Sequence, residues 1–68
     1  MKTINTPNGK EFFLNEKNIK HAEVLQGVKD TSKFYLKVSF AGDKEGEMYG
    51  PYVSNEEAKK EAFKLFAD

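Results

Sequence analysis

The sequence predicts an α+β domain: a small antiparallel β-sheet of four to five strands with one C-terminal α-helix packed on one face. Three observations carry this. Within residues 33–41, KFYLKVSFA, Phe34, Leu36, Val38 and Phe40 fall on one parity and Tyr35, Lys37 and Ser39 on the other, which is the period-two signature of a half-buried strand. Residues 54–66, SNEEAKKEAFKLF, change to a helical repeat behind a Ser-x-x-Glu capping box. The Pro-Asn-Gly step at 7–9 separates two short extended runs and so marks a hairpin.

Taken in order, the chain opens with strands at about 2–6 and 10–14, joined where Pro7 presets its own φ and Gly9 accepts a positive one. Asn15 to Asn18 is polar and reads as a turn or a single helical turn. A third strand is expected over about 19–28. Its alternation is imperfect, because Ile19 and Leu25 share one parity and Ala22 and Val24 the other, which suits a bulge.

Residues 29–32 close a turn into the cleanest strand, about 33–41, with Phe34, Leu36, Val38 and Phe40 on one face. This strand is expected at the centre of the sheet. A charged loop at 42–46 leads to a fifth strand at about 47–53, where Pro51 lacks the N–H a central ladder needs. There the Gly50-Pro51 step is expected to end the pairing, with Val53 entering the core. Ser54 then caps a helix over about 55–67, and Ala58, Ala62, Leu65 and Phe66 form the stripe laid on the sheet, with Phe63 beside it.

Composition narrows the function classes. The 68 residues make a single domain, 1–68, and contain no cysteine, so a disulfide framework, a thiolate nucleophile and a thiolate zinc site are excluded. No apolar stretch approaches the roughly 20 residues a membrane helix needs, and a soluble, cytoplasmic protein is expected. All eleven basic residues are Lys, without the Arg fork that reads guanine and phosphate. Charge is polarised around a net of zero: seven Lys and four acids stand in residues 1–41, four Lys and seven acids in 42–68.

Catalytic ingredients are thin. His21 is the only histidine, and a Ser-His-acid arrangement would have to use Ser39, His21 and Glu23 on adjacent strands. Asp43, Glu45 and Glu47 lack the spacing of an EF-hand loop and read as a solvated charged loop. No enzyme, metal site or cofactor is expected.

The junction GPYVSNEEA resembles the Gly-Pro-aromatic, Ser, Glu-Ala step of peptidoglycan-binding SPOR domains, where a strand likewise turns into a helix. That family needs an earlier second helix, which residues 15–33 do not supply. The segment NGKEFFLNEKNI, followed by strands and a terminal helix, looks like the layout of small FlbD-type flagellar proteins, to which the Gly-Pro-Tyr step is foreign. Neither resemblance transfers a function.

A sheet with a single helix leaves its other face or its edges incompletely covered. The expected occupant is a protein, another copy of the chain included, and the expected role is a non-enzymatic interaction module of bacterial or phage type that binds and modulates a larger protein. The candidate surface is Tyr35, Lys37, Tyr49, Tyr52, Lys20 and Lys33, with Ala22 and Val24 beside them. The alternative is a nucleic-acid-binding domain that uses a Lys/Tyr sheet face, with cations along the backbone and a ring for stacking.

Overall fold

The computed structural model describes residues 1–42 and 45–67. Five antiparallel strands and one C-terminal helix form an α+β fold, with the strands divided between two sheets of two and three strands. The first sheet is the expected hairpin: β1 (Lys2–Asn5) pairs β2 (Glu11–Leu14). Its turn closes where the Gly9 N–H donates to the Thr6 carbonyl at 3.0 Å, with Gly9 at φ 87°. A 3-10 turn, Glu16–Asn18, follows, and the Asn15 side chain caps it by accepting from the Lys17 N–H.

The second sheet is β3 (Ile19–Gln26), β4 (Phe34–Phe40) and β5 (Glu47–Tyr52), with β4 in the middle. Leu36 and Val38 of β4 are fully buried, as their parity requires. The mixed parity of β3 resolves as a register shift between Ile19 and His21. This brings Ile19, Ala22 and Val24 together onto the core side, where all three pack against the buried cluster. Ala22 and Val24 therefore do not belong to the open face, and Leu25, paired with Tyr35, does.

A second register shift, between Phe34 and Leu36 of β4, lies opposite the Gly50-Pro51 step. The step is a bulge inside β5 and does not end the pairing, which resumes at Tyr52 opposite Phe34. Gly50 stands at φ 138°, and a Cβ placed there would lie 3.0 Å from the Phe34 carbonyl oxygen and 3.2 Å from Cδ1 of Tyr35. Only glycine fits that backbone.

The helix α1 (Asn55–Phe66) begins where the Ser54 hydroxyl accepts from the Glu57 N–H at 3.2 Å. Ala58 and Leu65 are buried and Ala62 packs against the core. Val53 and Phe66 depart from expectation, at 71% and 56% exposed. Tyr52 already takes the inward position, so its extended neighbour Val53 points away. Phe66 lies on the last turn, well round the helix from the Ala58–Leu65 line.

Hairpin and helix share the inner face of the three-stranded sheet. The Phe12 and Tyr49 rings meet edge to face at 4.9 Å between centroids. The Tyr52 hydroxyl donates to the Asn5 carbonyl at 3.0 Å, and the Asn5 N–H donates to Glu61 Oε1 at 2.9 Å. At the other end of β1, Lys2 Nζ donates to the Ala67 carbonyl, a cation at the negative end of the helix dipole. The hairpin folds over the sheet and does not extend it.

Replacing Ser54 by Ala removes the cap and is expected to cost about 1 kcal/mol, read as a lowered denaturation midpoint. Gly50→Ala forces a side chain into a strained φ against backbone and ring, and a loss of about 1–3 kcal/mol is expected. Gly9→Ala is its control for space, since a Cβ there meets nothing within 4 Å and the φ penalty alone remains.

Candidate functional site

The alternation that buries Leu36 and Val38 directs Tyr35, Lys37 and Ser39 to the opposite, outer face of the sheet. The register places Leu25 across from Tyr35, Glu23 across from Lys37 and His21 across from Ser39 on β3. On the other side Met48 of β5 stands across from Lys37, 54% exposed. Helix and hairpin both occupy the inner face, and among the described residues no element packs on the outer one.

Its chemistry is ordered by row. At the Phe34 end, the Tyr35 ring lies against Gly50, an aromatic covering a glycine that has no side chain of its own. In the middle row, Glu23, Lys37 and Met48 set an acid, a base and an exposed thioether side by side. The last row holds His21 Nε2 and Ser39 Oγ at 3.5 Å, the histidine exposed and the serine half-buried. The sheet thus does bring Ser39, His21 and Glu23 onto one face. The Ser-His separation is at the outer limit of a hydrogen bond, and Glu23 sits opposite Lys37 in the ladder.

Only part of the expected surface lies here. Tyr35 and Lys37 do, half-buried by their neighbours. Tyr49 and Tyr52 do not: they are core residues, 8% and 2% exposed. The β5 bulge allows two tyrosines three positions apart to face inward together. Lys20 sits beside the β3 bulge at one end of the sheet, and Lys33 is in the turn at the other, 3.9 Å from Asp30. These two amines are separated by roughly 20 Å of strand, so the expected Lys cluster is not formed. Leu25 and Met48 are the members the sequence reading missed; the β3 parity break was the available signal for Leu25.

The turn at Asp30 is held by its own side chain. Hydrogen bonds from the Ser32 hydroxyl and N–H, with Lys33 nearby, hold the Asp30 carboxyl below its ordinary pKa. Asp43 of the charged loop lies outside the described residues. Among the described residues no three His, Asp or Glu side chains gather as metal ligands, and no helix is long and apolar enough to cross a membrane. No protein-family model matches the chain, and no curated protein or solved structure matches it either.

Burial raises the phenols of both inner tyrosines. Tyr52 is pushed up to about 12, chiefly by desolvation, with Glu61 and then Tyr49 adding to it; Tyr49 rises by burial and then by Glu47. An unfolded tyrosine ionises near pH 10, so below that pH the phenol is neutral in both states and its full contribution to stability is present. Between about pH 10 and 12 only the unfolded chain ionises, and stability falls. A urea midpoint measured from pH 8 to pH 12 is expected to decline over that window, and less steeply in Tyr52→Phe. An equal slope in both proteins would contradict the burial of this phenol.

Proposed function

We propose that the chain is a non-enzymatic protein-interaction module, a small cytoplasmic accessory or regulatory protein of bacterial or phage type that binds and modulates a larger protein. The observation that supports this is the open outer face of β3-β4-β5. It carries Leu25, Tyr35 and Met48 around the Glu23–Lys37 pair, a mixture of apolar area and opposite charges suited to a protein surface. A Lys-rich, Arg-free composition underlies the bacterial or phage attribution.

One observation favours a second reading, single-stranded nucleic acid: the Tyr35 ring and the Lys37 ammonium share this face. The dispersal of Lys20 and Lys33 and the net charge of zero weigh against it. Both readings use one surface and differ in what leaves with nuclease or salt.

Affinity capture from a bacterial lysate, with and without nuclease, separates them when the bait is compared with Met48→Asp and Lys37→Glu. The module reading expects a stoichiometric, nuclease-resistant protein whose recovery drops roughly tenfold with Met48→Asp, the size of change one lost interface contact of about 1.4 kcal/mol produces. Recovery undiminished in both variants would sink it. Material that vanishes with nuclease, together with oligonucleotide-induced shifts at Tyr35 and Lys37 that weaken with salt, would establish the second reading.

A further inference from the structure

The three-stranded sheet has two edges, and they differ. The β5 edge carries Pro51, which has no N–H, together with the Gly50-Pro51 bulge, both devices that discourage strand addition. The β3 edge is disturbed only at its start, by Lys20 and the register shift between Ile19 and His21. From His21 to Gln26 it pairs β4 without interruption.

The register tells which groups of β3 point outward. Just past its end, the Gly27 N–H donates to the Lys33 carbonyl at 2.8 Å, directly toward the β4 side. Antiparallel ladders alternate, so Leu25, Glu23 and His21 also turn their N–H and C=O toward β4. Those of Ala22, Val24 and Gln26 turn to the free edge. Among the described residues none of these three backbones bonds to a turn, loop or side chain.

We propose that two copies of this chain join through their β3 edges, antiparallel and centred on Val24, to form one six-stranded sheet with both helices on the same face. Three features select the second copy. A two-fold axis through Val24 sets Val24 against Val24 and Ala22 against Gln26, which engages every outward group and leaves the bulge outside. Centring on Glu23 would oppose two carboxylates, and centring on Ala22 would drive the pairing into the bulge. In the chosen register each Glu23 keeps Lys37 as its cross-strand neighbour.

The helix supplies the second feature. Glu61 faces the hairpin, which lies on the β5 side through Tyr49 and Tyr52. Phe63 and Phe66 stand on the opposite flank of α1, toward β3, and are 70% and 56% exposed. A two-fold axis perpendicular to the sheet brings this apolar flank up to its equivalent in the other copy. The third feature is closure: with the β5 edges blocked, the assembly ends at two copies.

This inference does not depend on the outer face binding a partner, and its test reads self-association alone. Sedimentation equilibrium on the full chain is paired with amide exchange by NMR at micromolar and millimolar concentration. The expected result is a dimer at the higher concentration, with exchange at Ala22, Val24 and Gln26 slowed roughly tenfold or more and His21, Glu23 and Leu25 protected at both. Phe63→Glu, at an exposed position, is expected to weaken the dimer without altering the monomer spectrum; Gln26→Pro, which removes an outward N–H together with the side-chain bond to the Thr31 carbonyl, is expected to weaken the dimer while the monomer keeps its fold. A monomer at millimolar concentration would overturn the proposal, as would a dimer in which those three amides exchange unchanged or which both variants leave intact.

Discussion

The backbone of Asn5 is where three separate elements of this small domain are tied together. Its carbonyl accepts from the Tyr52 hydroxyl of β5 at 3.0 Å, and its N–H donates to Glu61 Oε1 of α1 at 2.9 Å. Glu61 is itself held by Lys64 at 3.0 Å. A two-stranded hairpin is marginal in water alone, and a chain of this size buries only about 60% of its unfolded surface. The hairpin therefore needs the core contacts of Ile4 and Leu14, and the Asn5 bonds fix where those contacts are made. No buried side-chain polar atom among the described residues is left without a partner, as so small a core requires.

Because that tie draws hairpin and helix to the same side, the other side of β3-β4-β5 is left as plain sheet. Tyr52 turns inward directly after the β5 bulge, and the bulge places Gly50 where the Tyr35 ring covers it. Core geometry and surface chemistry are thus connected through one strand. The face that results is mixed, with apolar side chains set among opposite charges.

Strictly periodic segments were legible from sequence: β4 by its alternation, α1 by its repeat and its Ser54 cap, and the first hairpin by Pro7-Asn8-Gly9. What was not legible depends on register. Tyr49 and Tyr52 read as surface aromatics from the general preference of interfaces for Tyr; strict alternation cannot turn two residues three apart to the same side, and only the shift opposite Phe34 and Leu36 turns both inward. Ala22 and Val24 were placed outside by strict alternation on β3, which the shift there overrides. The division into two sheets has no local signature either. The residues that decide whether the hairpin extends the sheet or folds across it, Asn5, Tyr52 and Glu61, are remote from one another in sequence.

The most direct test of this account is a double-mutant cycle between Tyr52→Phe and Glu61→Ala, with unfolding free energy as the readout. If both side chains hold the backbone of the same residue, through the two peptide units that flank it, the two losses are coupled, by about 0.5 kcal/mol or more. Losses that add independently would mean that Asn5 does not join β5 to the helix, and that the hairpin keeps its place by apolar packing alone.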